Sequence, residues 1–251
     1  MDFSTIKQQA RAVIKGRKKT ILTASLLFLL LVLLFSYLSY RLTMPPREQL
    51  LSLTDRVTAY VLSGDYDAAS RLIASVQPSI GETVANDLLS YVQAIVSFGF
   101  LLLLFNAVRG KELELGMLLD GFSTWAKVLL VELISRLIIT LCFWALIVPG
   151  FFALYSYRMA RYLLLTHPEF GVIDCLRESR LRMRGHRMEL FRLDLSFLGW
   201  GLLSAIPVLG LIPSVWALPY WKCSTLLACE SINAAYESVP HPQQDNDRFI
   251  F

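Results

Sequence analysis

Residues 20–40 read TILTASLLFLLLVLLFSYLSY, a run of 21 residues without a formal charge. A helix rises about 1.5 Å per residue, so a run of this length crosses a hydrocarbon core of about 30 Å. Basic residues precede the run and bulky aromatic residues end it, whereas a cleavable signal peptide has a shorter apolar core and a small-residue cleavage site. The stretch therefore predicts a retained transmembrane anchor behind a cytoplasmic basic N-terminus at 1–19.

The composition of the 251 residues also favours a membrane protein over a soluble one. Hydrophobic residues make up 55% of the chain and charged residues 18%, whereas soluble domains average about 45–50% and about 25%. The net charge of +4 is not gathered on a soluble basic module, so nucleic acid is not an expected partner. Three separated histidines and four cysteines without a CxxC pair form no metal motif, and we expect no metal and no cofactor.

Further apolar runs predict additional crossings. Residues 88–108 form a second uncharged run. The third run, 128–166, is too long for one crossing, and Pro149-Gly150 predicts a bend that divides it into two helices, the second short. Proline in the run 195–221 favours two short spans that meet around Pro207–Pro213, and a re-entrant hairpin is the alternative. We predict an all-α fold, a polytopic α-helical membrane bundle of about six transmembrane helices plus amphipathic interfacial helices.

The polar segment 41–83 contains two amphipathic stretches separated by Gly64-Asp65, a turn and helix-start signal. We interpret the segment as an extracytoplasmic helical hairpin, either outside the membrane or lying on its surface. Ser79 and Glu82 fit a capping box at the start of the second transmembrane helix. The predicted order is a basic N-terminus, an anchor, this loop, a five-span membrane domain and a polar tail, at residues 1–19, 20–40, 41–83, 84–237 and 238–251.

The distribution of Lys and Arg predicts the orientation, because cytoplasmic loops are enriched in these residues. Six of them lie in 1–19 and six arginines lie in 171–192, whereas 41–83 has four against five acidic residues. Six spans place the first two segments inside and the third outside, with both termini cytoplasmic. We expect a multi-pass membrane protein in this orientation.

The segment 171–190 is the most distinctive polar stretch. On one continuous helix, four arginines would share a face about 80° wide: Arg177, Arg180, Arg184 and Arg187. A basic amphipathic helix beside a membrane predicts contact with anionic lipid. The alternative is a solvated face that only enforces the topology.

Six charged residues lie in or beside the predicted spans: Glu132, Arg136, Arg158, Arg161, Asp194 and Lys222. Charges at membrane depth are costly, and they usually pair, face the protein interior or extend to the interface. Glu132 and Arg136 have the spacing of an i,i+4 ion pair. Arg158 would need a partner such as Glu132 or Asp194, while Arg161 is close enough to the cytoplasmic end to reach the interface. Structural ion pairs are one interpretation, and a substrate or ion site is the other.

Several short motifs occur in order along the second half of the chain. They are YSYRMA at 155–160, HPE at 167–169, RESR at 177–180, LDLSFLGW at 193–200 and PY at 219–220. Over about 85–237 the pattern resembles the bacterial multi-pass membrane family known as domain of unknown function 975. The resemblance implies an α-helical bundle in the bacterial cytoplasmic (inner) membrane. It assigns no catalytic residue, because the family's function is not established. Gly199 and Gly201 flank Trp200 and predict a close approach between helices.

The chain contains no nucleophile elbow, zinc-protease motif, P-loop or dinucleotide fingerprint, so we expect no enzyme. The first hypothesis is a membrane protein that contacts anionic lipid headgroups, another membrane protein or a second copy of itself through the arginine-rich helix. The alternative is a small transporter or channel with a polar central cavity near Arg158, Glu132 and Lys222. A polar cavity that reaches Arg158 favours the alternative, and a dry packed centre favours the first hypothesis.

Overall fold

The computed structural model describes residues 2–43, 47–75, 79–204, 206 and 210–238, and within these ranges the chain forms helices and no strand. The all-α prediction is therefore confirmed. The first helices are α1 (Phe3–Gly16), α2 (Lys18–Thr43), α3 (Arg47–Leu62), α4 (Tyr66–Ala74), α5 (Ile80–Val108), α6 (Met117–Asp120) and α7 (Trp125–Ala145), with a 3₁₀ turn at Gly121–Thr124. They are followed by α8 (Ile147–Ser156), α9 (Ala160–Thr166), α10 (Val172–Arg182), α11 (Arg187–Leu195), α12 (Leu198–Ser204) and α13 (Leu211–Glu237).

Three stretches of the described chain are long and apolar enough to cross a membrane: Lys18–Thr43, Ile80–Val108 and Met117–Ala145. They contain the first two predicted spans and most of the third, and they favour a membrane protein. The count of six spans is not confirmed. α8 has 10 residues, and α9 and α12 have 7 each. These helices extend only about 10–15 Å, against about 30 Å for a hydrocarbon core.

The chain divides into two compact units, one of which is Leu30–Gln93. In this unit α3 and α4 pack together as the predicted helical hairpin. Gly64 between them has a φ of 79°, which glycine adopts without a side-chain clash, and the Asp65 carboxylate caps α4 by accepting a hydrogen bond from a backbone amide. The predicted capping box also forms, because the Ser79 amide donates to the Glu82 carboxylate at 2.7 Å and the Glu82 amide donates to the Ser79 hydroxyl at 3.3 Å.

The other unit comprises Met1–Leu29 and Ala94–Phe251, and its N-terminal helix is packed against α13. The buried side chains of α1 recur every four residues: Ile6, Ala10 and Ile14. Beside this apolar face, Arg11 Nε donates a hydrogen bond to the Tyr220 hydroxyl of α13 at 3.1 Å. The segment 1–19, predicted only as a basic N-terminus, thus contains an amphipathic helix that docks on the last helix.

The third apolar run bends at Leu146 rather than at Pro149-Gly150. Leu146 has an extended backbone (φ −165°, ψ 148°) and separates α7 from α8. Pro149 lies in the first turn of α8, where a missing amide hydrogen costs no helical hydrogen bond. Gly150 allows the two helices to approach closely, since a Cβ there would lie 2.5 Å from the Phe143 ring. The predicted short helix 151–166 is also wrong, because the chain breaks between α8 and α9.

The arginine-rich segment 171–190 is not one helix. After α10 the chain turns at Gly185, which has a φ of 85°, and α11 begins at Arg187. A residue in this left-handed region interrupts a helix. The four arginines are therefore distributed over two helices and a turn, with Arg177 and Arg180 on α10, Arg184 in the turn and Arg187 at the start of α11. The prediction of one continuous arginine face is wrong.

The run 195–221 is divided between α12 and α13, as its prolines predicted. α12 ends at Ser204 and α13 begins at Leu211. Of the predicted junction at Pro207–Pro213, residues 207–209 lie outside the described residues, and Pro213 lies in the first turn of α13. The tail beyond Ser238 also lies outside the described residues. Whether the division corresponds to two spans or to a re-entrant hairpin stays a prediction.

The close helix approach predicted at Gly199 and Gly201 does not occur. A Cβ at either position would have no heavy atom of a neighbouring segment within 4 Å. The tight contact lies instead between α5 and the 3₁₀ turn, where a Cβ at Gly121 would lie 2.6 Å from the Ile95 carbonyl oxygen. The space beside α12 is thus open, and Gly201 lines a cavity there.

Candidate functional site

Glu132 on α7 is bonded to two arginines. Arg136 Nε donates to Glu132 Oε1 at 2.9 Å, and Arg161 Nη2 donates to Glu132 Oε2 at 2.6 Å. The carboxylate is buried, whereas both arginine side chains are about half exposed. The ion pair predicted for Glu132 and Arg136 is confirmed. Arg161 pairs with the same carboxylate, so both oxygens of Glu132 are engaged by guanidinium groups.

Arg158 and Asp194 form a second ion pair, between the α8–α9 turn and α11. Arg158 Nη2 donates to Asp194 Oδ1 at 2.9 Å, and Nη1 donates to Oδ2. Asp194 also accepts hydrogen bonds from the Tyr155 hydroxyl at 3.0 Å and from Trp221 Nε1 at 2.8 Å. The structure confirms that Arg158 pairs with a carboxylate, and of the two predicted partners it is Asp194.

Lys222 on α13 differs from these arginines because no carboxylate of the described residues lies within 4 Å of its ammonium group. Its Nζ lies 5.1 Å from the centre of the Trp221 ring. Glu132 and Asp194 are already engaged by arginines. The charge of Lys222 is therefore not neutralised by an ion pair.

These side chains line a cavity of about 420 Å³ between α7, the α8–α9 turn and α13. The charged residues in its wall are Glu132, Arg136, Arg158, Arg161 and Lys222. Side chains with a hydroxyl group also line it: Ser135, Thr140, Tyr157, Tyr162 and Thr225. If Asp194 behind Arg158 is included, the cluster has four cationic and two anionic side chains. The excess of positive charge attracts an anion to the cavity.

The cavity brings together five of the six charged residues predicted in or beside the spans. The sixth, Asp194, forms an ion pair with Arg158 in the cavity wall. The four arginines predicted to contact lipid are not brought together in the same way. Arg177, Arg180 and Arg184 are exposed, while Arg187 is half-buried and its guanidinium lies 5.7 Å from the Phe152 ring. Within the described part of the chain, Arg187 Nε is a buried atom without a hydrogen-bond partner.

Sequence reasoning did not single out Arg182, the last residue of α10, which is buried. Its guanidinium donates to Glu178 at 3.2 Å and to the Asn233 side chain, and lies 3.8 Å from the Glu237 carboxylate. The spacing of Glu178 and Arg182 could have signalled an i,i+4 pair, but the contact with α13 depends on the tertiary fold. Arg182 attaches α10 to the last helix.

The cysteines show no sign of a reactive or metal-binding role. All four are free; Cys142 is half-buried and the other three are buried. Burial raises the pKa of the Cys175 thiol on α10 to about 11, so the nucleophilic thiolate is scarce at neutral pH. The described residues contain no group of three or more potential metal ligands.

These features define a class of protein, an all-helical chain with membrane-length apolar helices and a basic cavity. Residues 142–236 match the family described as protein of unknown function (DUF975). The chain therefore carries a domain of this family, and the predicted resemblance is confirmed over that segment. The match begins at residue 142, whereas the motifs suggested a start near residue 85. The segment contains Arg158, Arg161, Asp194 and Lys222, whereas Glu132 precedes it. No curated protein and no solved structure matches the chain.

Proposed function

We propose that this protein is an integral membrane protein that binds an anionic ligand in the cavity between α7, the α8–α9 turn and α13. The observation that carries the proposal is the ammonium group of Lys222, which has no carboxylate within 4 Å among the described residues and lies in a wall that already has an excess of positive charge. An isolated charge at membrane depth is costly unless a counter-charge approaches it. A bound anion supplies that counter-charge.

The lining of the cavity favours a ligand with a phosphate or carboxylate group. Lys222 and the exposed parts of Arg136 and Arg161 supply cationic donors, and guanidinium groups match the geometry of both kinds of oxyanion. A volume of about 420 Å³ lies within the range of about 300–1,000 Å³ typical of small-molecule sites. The cavity thus accepts an organic anion as well as inorganic phosphate.

This proposal is closer to the transporter alternative than to lipid contact through an arginine helix, because Arg158 lines a cavity that has further charged side chains in its wall. It assigns the protein a binding role rather than catalysis. It also retains the bacterial inner-membrane location that the family resemblance implies, and the cytoplasmic position of both termini that the charge distribution predicts.

The experiment measures binding of inorganic phosphate by isothermal titration, with the full-length protein in nanodiscs of neutral phosphatidylcholine. Lys222→Met should weaken binding about 10- to 100-fold, since a hydrogen bond to a charged group contributes about 1.5–3 kcal/mol. Lys111→Met is the matched control, because Lys111 is exposed and does not line the cavity. Absence of phosphate binding by the wild type, or equal binding by the Lys222→Met protein, would contradict the proposal.

A second candidate is contact of the cytoplasmic surface with anionic lipid, favoured by the exposure of Arg177, Arg180 and Arg184. Each basic residue near an anionic surface contributes about 1 kcal/mol. Changing all three to Gln should lower the amount of anionic lipid that co-purifies with the full-length protein, as measured by mass spectrometry. An unchanged lipid content would leave these arginines a role in topology alone.

A further inference from the structure

We infer that the ligand of the basic cavity is an anionic amphiphile whose alkyl chain occupies a second, apolar cavity next to it. The inference rests on the proposed function, because the anionic group is assigned to the basic cavity. It adds the chemical class of the ligand: a phosphate or carboxylate attached to a hydrocarbon chain, as in a lipid.

The second cavity has a volume of about 340 Å³ and lies beside α12 and α13. Its wall is almost entirely apolar, and it includes Leu29, Phe197, Leu198, Trp200, Ala217 and Leu218. Gly201 also lines it, and a Cβ added there would meet no heavy atom of a neighbouring segment within 4 Å. Such a cavity offers few partners for a polar group, so hydrocarbon is the matching occupant.

The two cavities follow one another along the same side of α13. Ser214, Leu218 and Trp221 line the apolar cavity, while Trp221, Thr225 and Cys229 line the basic one. These positions are spaced by three or four residues and therefore form one stripe on the helix. Trp221 belongs to both walls, and the centres of the two groups are separated by roughly two helical turns, about 10 Å.

The Arg158–Asp194 ion pair lies at the same junction. Arg158 lines the basic cavity, Asp194 lines the apolar one, and Trp221 Nε1 donates to Asp194. The Asp194 carboxylate therefore already accepts hydrogen bonds from protein donors. It lies where an amphiphile would pass from the basic cavity into the apolar one. An anionic headgroup is attracted to the arginine side of the pair, and a chain runs past Trp221 towards α12.

The order of the cavities also agrees with the predicted topology. On α13 the apolar cavity is lined by residues between 214 and 221, and the basic cavity by residues between 221 and 229, which are nearer the C-terminus of the helix. A cytoplasmic C-terminus would place the basic cavity towards the cytoplasmic interface and the apolar cavity towards the hydrocarbon core. This is the orientation of a lipid in the cytoplasmic leaflet, with its headgroup at the interface.

The experiment compares inorganic, ethyl, butyl and hexyl phosphate, titrated against the full-length protein in phosphatidylcholine nanodiscs, with empty nanodiscs as the blank. Each methylene that enters the apolar cavity should tighten binding about fourfold, which corresponds to about 0.8 kcal/mol. Gly201→Phe, and Gly201→Leu as a smaller variant, should remove this dependence on chain length while inorganic phosphate still binds. Gly199→Phe is the matched control, because Gly199 is on the same helix, is equally open and does not line the cavity.

The outcomes separate this inference from the proposed function. If the wild type binds phosphate but gains nothing from a longer chain, the amphiphile is rejected and anion binding stands. If a Gly201 variant that binds inorganic phosphate keeps the full gain with chain length, the second cavity is not the chain site. If no phosphate binds at all, the proposed function fails and this inference fails with it.

Discussion

Arg158→Leu and Asp194→Leu remove opposite halves of one ion pair, and the structure predicts that the two losses are unequal. After Arg158→Leu, Asp194 keeps two neutral donors, the Tyr155 hydroxyl at 3.0 Å and the Trp221 indole at 2.8 Å. After Asp194→Leu, Arg158 has no carboxylate partner in the described structure and faces a cavity that already contains Lys222. We expect Asp194→Leu to be the more destabilising substitution.

The magnitude follows from the burial of the pair. Removing one partner of a fully buried pair costs about 3–5 kcal/mol, but the side chains of Arg158 and Asp194 are 22% and 16% exposed, which reduces the effect. We expect about 3 kcal/mol for Asp194→Leu. Arg158→Leu should cost about 1.5 kcal/mol, because the two retained hydrogen bonds are worth about 1 kcal/mol each. At about 2–4 °C per kcal/mol, the Tm falls by about 6–12 °C and about 3–6 °C respectively.

The assay is thermal unfolding of the detergent-solubilised full-length protein as a double-mutant cycle. The double variant should be no less stable than Asp194→Leu alone, because neither charge is then left uncompensated. Arg192→Leu is the control, since Arg192 is also on α11 and is exposed. Equal losses for the two single variants that add in the double variant would refute this account of the pair.

Three further outcomes follow from other contacts. Glu132→Gln should lower the Tm yet raise phosphate affinity at least about fivefold, since a unit charge at 4 Å is worth about 1 kcal/mol even in water; unchanged or weaker binding would contradict the charge argument for the cavity. Arg182→Leu should cost about 3–5 kcal/mol, whereas the exposed Arg180→Leu should stay within about 0.5 kcal/mol; equal Tm values would mean that the buried contacts contribute nothing. Hydrogen bonds from the Thr5 hydroxyl and a backbone amide lower the pKa of Asp2 from 3.8 to about 2, so its stabilisation of α1 is complete above about pH 4 and lost as the pH falls towards 2. An NMR titration of the Asp2 carboxyl that gives a pKa near 4 would show that this cap is absent in solution.

Features that depend on nearby residues could be predicted from the sequence. The capping box at Ser79 and Glu82 and the turn at Gly64-Asp65 involve residues that are three apart or adjacent, and both form as expected. The ion pair of Glu132 with Arg136 is likewise fixed by one helical turn. Such contacts follow once the local conformation is known, and no tertiary information is needed.

The errors come from helix continuity and from contacts between distant segments. The prediction of one helix over 171–190 fails at Gly185, because its φ of 85° ends the helical geometry. The predicted bend at Pro149-Gly150 is displaced because proline is tolerated in the first turn of a helix. The break therefore lies before the proline, at Leu146. The docking of α1 had a visible signal in the four-residue period of its apolar side chains, but its partner surface could not be read from the sequence.

The unpaired state of Lys222 could not be derived from the sequence either, although the residue itself was singled out. Its environment depends on which cations bind Glu132 and Asp194, and these bonds join residues 29 and 36 positions apart. Had Arg158 paired with Glu132, Asp194 would have been free to neutralise Lys222, and the cavity would have no unpaired cation to attract a ligand. The sequence therefore identifies the charges in and beside the apolar runs, while the fold decides which of them is left without a carboxylate partner among the described residues.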